Sequence, residues 1–242
     1  MKTTAIGCLA VALILTLTSI AHAAGSISGV VNFDGKPRRA KKLDRSADPK
    51  CLQAHAGDLT DEKFVVGTAD GTKHPMANIF VYVKSGLPDQ KWPVSDKPVV
   101  LDQRGCKYVP HVMGIQVGQT LEIRNSDPTT HNVHSLAKKS DVFNYGQPQG
   151  APALKKTFTA AEVMAKVKCD MHPWMYCYVG VLDHPFHAVT GDDGKFMIDG
   201  LPAGTYEIGT WQELLKTRTQ SVTVKDGEAA NVEVVYSKPK KK

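Results

Sequence analysis

The sequence predicts an all-β protein arranged as sandwiches, and three observations carry that prediction. Apolar and polar residues alternate in short runs, as at residues 205–211 and 230–236, which is the period-two pattern of a half-buried strand. Turn pairs such as Asp34 with Gly35, Gly118 with Gln119, and Asp226 with Gly227 punctuate those runs. No segment sustains the 3.6-residue period of an amphipathic helix, and only residues 160–164 suggest a turn of one.

Taken in order, the first expected strand covers residues 26–33 and ends at the Asp34–Gly35 turn. Residues 36–71 are polar and weakly patterned, so they read as a long connection with one short strand at 64–66. Connections of that length are uncommon unless they are tied down or functional. Residues 78–84 form the next strand, and Pro93 and Pro98 mark a linker before a strand at 99–101. Strands at 113–117 and 120–125 flank Gly118, a glycine- and proline-bearing loop spans 145–152, and strands at 154–158 and 165–168 follow. The remainder reads as 178–182, 188–190, 195–198, 205–211, 220–224 and 230–236, separated by glycine turns.

The N-terminus combines Lys2, an apolar run over residues 5–20 and the A-H-A sequence at 21–23, the pattern of a secretory signal peptide cut near Ala23. Cys8 lies at the start of the apolar run, which disfavours a lipoprotein. No second long apolar segment follows, so the mature chain is expected to carry no transmembrane anchor and to be periplasmic or secreted. Residues 24–242 are long enough for one large or two small domains. The formal charge of +6 is concentrated at Arg38, Arg39, Lys41 and Lys42 and in the tail at 237–242. Such a tail suits weak contact with an anionic surface or an acidic partner. Nucleic acid is not indicated, because aromatics do not interleave with the basic clusters.

Export permits disulfides. Of Cys51, Cys106, Cys169 and Cys177, the expected pair is Cys51 with Cys106, which leaves Cys169 as a thiolate and Cys177 unassigned. A Cys169–Cys177 bridge is the competing pairing and would abolish the site described next.

The C-D-M-H-P-W-M sequence at residues 169–175 places a thiolate, an imidazole and a thioether at i, i+3 and i+6 on one short loop. The histidine-bearing segment at 125–134 offers a fourth donor. One cysteine, two histidines and a weak methionine form the ligand set of a mononuclear blue-copper electron-transfer centre. Structural zinc favours more thiolates or histidines, and iron would need a triad of two histidines and one carboxylate. His131 and His134 compete for the upstream position, and their odd separation turns them to opposite faces of a strand. Asn132 is placed to hydrogen-bond across to the cysteine loop. Pro173 restricts that loop and Trp174 is placed to cover an imidazole. Met171 is a further soft donor, and His184 with His187 read as satisfied or solvated loop histidines, a secondary metal contact being the lesser alternative. With Met175 present the centre has no evident open position, so an electron carrier is expected and not an enzyme.

Residues 117–134 and the Cys169-x2-His172-x2-Met175 motif resemble the cupredoxin family, and the short loop resembles that of amicyanin. The resemblance implies a Greek-key β-sandwich over residues 98–186 holding one type 1 copper through His131, Cys169 and His172, with Met175 axial and His134 outside the ligand set. It also implies that His172 lies near an apolar surface, with Pro173 and Trp174, where electrons leave. The thiols of Cys177 and Cys106 depart from the family pattern. The flanking segments at 24–97 and 187–236 resemble a carboxypeptidase regulatory-like domain, a small immunoglobulin/transthyretin-like β-sandwich, into which the copper domain is inserted. That implies a scaffolding or adhesion role; no H-E-x-x-H peptidase motif is present. The whole is similar to methylamine-utilisation proteins, which implies a redox partner such as a cytochrome or a dehydrogenase. The alternatives left open are a copper carrier or storage module using Met171 and Cys177, and a metal-free structural or adhesion protein.

Overall fold

The computed structural model describes residues 23–54 and 57–238. The expected signal peptide falls outside them apart from Ala23, as does the basic tail beyond Lys238. β1 (Gly25–Asp34), α1 (Pro49–Ala54), β2 (Val65–Val66), β3 (Lys73–Ala77) and β4 (Phe80–Ser85) open the chain. β5 (Val99–Gln103), β6 (Tyr108–Val109), β7 (Val112–Gln116), β8 (Leu121–Asn125) and β9 (His131–Ser135) follow. β10 (Asn144–Gln147), β11 (Leu154–Lys156), β12 (Glu162–Lys168) and β13 (Tyr176–Leu182) come next. β14 (His187–Val189), β15 (Lys195–Leu201), β16 (Gly204–Gln212), β17 (Lys216–Val224) and β18 (Ala229–Ser237) close it.

These strands make two pairs of sheets. In the first pair, β15-β1-β3-β2, with β18 parallel to β1, faces β14-β4-β16-β17. Alternating residues of both sheets meet between them, including Ile27, Val31, Phe33, Val81, Val83 and Ile208. In the second pair, β10-β9-β12-β13-β7 faces β11-β8-β5-β6 around Leu101, Ile115, Leu121, Ile123, Val133, Val167, Val179 and Val181. Each such side chain contributes about 1.5–3 kcal/mol on burial. The polar bonds around the ligand loop are individually smaller, so the two cores set stability and the loop is positioned by them.

The two sandwiches touch through β13. Cys177, Val179 and Val181 face the second core, while Leu182 joins Phe80, Tyr82 and Val112 on the other side. Gly180 permits that contact: a Cβ there would stand 2.3 Å from Phe80 Cζ, and one at Gly114 would stand 2.8 Å from the same ring.

Four local expectations change. Residues 160–164 do not form a turn of helix. The strand begins at Glu162, which pairs with Val181, because pairing with the buried strand β13 outweighs local helix propensity. The helix that does form is α1, inside the long connection. β10 replaces part of the expected loop at 145–152; it is a polar edge strand with no alternation to detect. β3 and β6 are also unanticipated, the first because Pro75 interrupts its sequence signal.

Candidate metal centre

Strand register explains why the two separated motifs meet. β9 and β12 run antiparallel with Val167 opposite Ser135 and Lys168 opposite His134. Continuing that register past the end of β12 carries Cys169 and Asp170 alongside Asn132. The Asp170 N–H donates to Asn132 Oδ1 at 2.6 Å, and Asn132 Nδ2 donates to Asn144 Oδ1 at 2.6 Å and to Asp170 Oδ2 at 3.1 Å. Asn132 thus clamps the cysteine loop to the histidine strand. The loop closes on itself as well: Cys169 N–H donates to Met175 O at 2.9 Å and Met175 N–H to His172 O at 2.8 Å.

Within this clamp three donors converge. His131 Nδ1 lies 2.9 Å from His172 Nδ1, and Cys169 Sγ lies 3.5 Å from His172 Nδ1. The His131, Cys169 and His172 donor atoms all lie within 4.8 Å of one another, and all three residues are buried. A trigonal centre about 2 Å from each nitrogen and about 2.3 Å from sulfur would set donor separations of about 3.5–4 Å. The sulfur already stands at that spacing from His172 Nδ1, and the two nitrogens need to part by about half an ångström. The donor set therefore fits one soft or borderline transition metal.

The far side of each ring is held by a carboxylate. His131 Nε2 is 2.8 Å from Asp127 Oδ2, and His172 Nε2 is 2.9 Å from Asp48 Oδ2. Both carboxylates accept, so both rings carry a proton on Nε2 and aim Nδ1 at the other donors. The 2.9 Å contact between the two Nδ1 atoms then needs one further proton. Burial would lower the pKa of His131, but the Asp127 carboxylate and the Cys169 sulfur beside it raise it to about 9. Burial raises that of Cys169, yet His131 and the backbone N–H groups of Asn132 and His172 bring it down to about 7. Both shifts run toward a thiolate beside an imidazolium.

Asp127 does more than hold His131. Its oxygens accept from the N–H groups of Gly105 at 2.6 Å and Cys106 at 2.8 Å, which ties the site to the Cys51–Cys106 disulfide. That disulfide is the pairing expected from the sequence, and Cys169 and Cys177 are both free. Cys177 is fully buried in the second core, and burial pushes its thiol well above the usual range. His134 turns away from the site and meets Asp170 at 2.9 Å. Met175 is buried in the same core as Cys169. Met171 is 56 % exposed. Trp174 lies with its ring centroid 5.1 Å from that of His172 and donates Nε1–H to Cys106 O at 3.1 Å, while Pro173 is exposed.

His172 itself is only 3 % exposed. The resemblance placed this histidine near the surface. Here the long connection covers it, because α1 and its preceding residue pack against the ring. Cys51 Sγ stands 3.8 Å from His172 Nε2. Sequence reasoning missed Asp48, although Asp48 followed by Pro49 is a helix-start signal, an N-cap with proline at the first helical position. Two further groupings, Asp48–Cys51–His172 and Cys106–Asp127–His131, are the outer edges of the same cluster. Their cysteines are bound to each other and offer no thiolate.

Among solved structures similar to the chain, a copper-containing nitrite reductase from Thermus scotoductus SA-01 is 20% identical over 40% of this chain, with a TM-score of 0.33. The chain spans 25% of that protein's length. Two copper(I) forms of amicyanin mutants are 27% and 28% identical over 42% of this chain and 97% of theirs, each with a TM-score of 0.31. No family model matches the chain, and no curated protein does.

Proposed function

We propose that this chain is an exported, mononuclear type 1 copper protein that passes single electrons between redox partners; His131, Cys169 and His172 would hold the metal strongly and Met175 would add a weaker thioether donor. The observation that carries the reading is the convergence of one cysteine sulfur and two Nδ1 atoms in a buried pocket whose tautomers are already set by carboxylates. Copper bound there would supply a one-electron couple between its +2 and +1 states. The chain's own part is to keep the donors in nearly one geometry. Asn132 holds the cysteine loop to β9, Asp127 holds His131, and the 169–175 loop is closed by its own backbone bonds. Burial keeps water from the thiolate.

Residues 98–186 act as the copper domain in this reading, and the flanking sandwich at 24–97 and 187–236 acts as a scaffold of the carboxypeptidase regulatory-like kind. The partner is a cytochrome or dehydrogenase in the same exported compartment, met after removal of residues 1–23. Among the described residues no helix is long and apolar enough to cross a membrane. The carrier or storage alternative loses support from two placements: Cys177 points into the core, and His172 is covered. The experiment is copper(II) loading of the mature chain followed by visible absorption. An intense thiolate-to-copper band that disappears in Cys169→Ser is the expected result; a pale spectrum indifferent to that substitution would reject the assignment.

A further inference from the structure

The connection between β1 and β2 is a built element. Arg45 is buried at its centre, donating to Cys51 O at 2.9 Å and to Gly57 O at 2.7 Å. Leu43 N–H donates to Leu59 O at 2.8 Å, and the disulfide to Cys106 staples the element to the second sandwich. Asp48 is the residue it presents to the ligand loop. One oxygen, Oδ1, accepts from Lys50 N–H at 2.8 Å and Cys51 N–H at 3.4 Å, which starts α1. The other, Oδ2, meets His172 Nε2 at 2.9 Å and accepts from Thr129 Oγ1 at 3.2 Å. Thr129 belongs to the segment leading into β9, so one carboxylate oxygen joins the connection, the histidine strand and the cysteine loop.

We propose that Asp48 is a positioning residue of the metal centre, supplied from outside the ligand loops, that fixes His172 and biases the bound copper toward its +2 state. The inference rests on the copper reading above. Charge explains the bias. Copper(II) with the Cys169 thiolate and the carboxylates of Asp127 and Asp48 sums to one negative charge, and reduction makes it two in a buried site. An imidazole whose Nε2–H is given to a carboxylate is also a stronger donor through Nδ1, which favours the more highly charged ion.

Asp48→Asn removes the charge while keeping the side chain's size; its single amide oxygen can accept from His172 Nε2–H or cap α1, and the amide NH2 takes the other place. Removing a carboxylate behind a ligand histidine typically weakens metal binding about 10–100-fold. If that loss falls on copper(II), the reduction potential rises by about 59 mV for each tenfold change in the copper(II)-to-copper(I) preference. Asp48→Ala also removes the bond to His172. In the metal-free protein it should speed alkylation of the Cys169 thiol by iodoacetamide about tenfold, as the loss of one charge-assisted hydrogen bond to the covering connection allows, and Asp48→Asn, which fills the same space, should speed it less. A retained thiolate band with a raised potential in Asp48→Asn supports the proposal. A retained band with the wild-type potential and wild-type affinity ratio overturns it while leaving the electron-carrier reading intact. Absence of the band from the wild-type protein removes the copper reading itself, and this inference with it.

Discussion

Replacing Asn132 by alanine tests whether one side chain holds the two halves of the site together. The substitution removes the acceptor of the Asp170 N–H, now at 2.6 Å, and two donated bonds to Asn144 and Asp170. Those two partners are partly exposed and can turn to water, so the main loss is a part-buried backbone N–H left without an acceptor, about 1–3 kcal/mol. The small void left beside Cys169 adds about 1 kcal/mol, for about 2–4 kcal/mol in all. A chain of this size loses about 2–4 °C of Tm per kcal/mol, so thermal unfolding of the metal-free protein should fall by about 5–15 °C. Copper(II) affinity should fall with it, because the cysteine loop is no longer pinned in register with His131. Circular dichroism melts beside a copper competition titration read both effects. A variant that melts within about 1 °C of wild type and binds copper(II) equally well would refute the clamp.

Three further outcomes follow from the same geometry. Cys177→Ala should leave the thiolate-to-copper band intact and cost about 1 kcal/mol in a urea titration, because Cys177 fills the core and offers no donor to the site; loss of the band would make it a ligand. Gly180→Ala drives a Cβ to 2.3 Å from Phe80 Cζ and should destabilise by about 1–3 kcal/mol with the copper spectrum unchanged; an unchanged urea midpoint would mean the sandwiches do not meet there. Copper uptake should depend on pH, since His131 holds its second proton up to about pH 9 and Cys169 holds its own up to about pH 7. The metal displaces both protons, so apparent affinity should drop about tenfold per unit on acidification from 9 to 7 and approach about a hundredfold per unit below 7; a flat competition titration from pH 6 to 9 would contradict the assigned protonation.

The sequence made the sandwich and the donor triad legible for different reasons. Period-two runs such as 205–211 and 230–236 report their own burial, so most strands could be read locally. The C-x2-H-x2-M loop and the histidine segment report chemistry through residue type, and the odd spacing of His131 and His134 separated a buried ring from an outward one. Tertiary relations were less visible. β10 is a strand because β9 lies beside it, and Glu162 starts β12 because Val181 is opposite; neither fact is written in a local pattern. Asp48 lies 124 residues from His172, with only the Asp48–Pro49 helix start to mark it. The covering of His172 was hidden for the same reason: the resemblance, which places this histidine near an apolar surface, describes a sandwich without this connection. Here Cys51, through its disulfide to Cys106, draws the connection over the ring.

Electron paramagnetic resonance of residues 24–242 loaded with copper(II) bears on the central claim most directly. Spin delocalised from the metal onto the sulfur of Cys169 should give a narrow parallel hyperfine splitting, and serine at that position should convert it to a wide one. A wide splitting already present in the wild-type protein would mean that the thiolate does not bind copper in the geometry the two loops create.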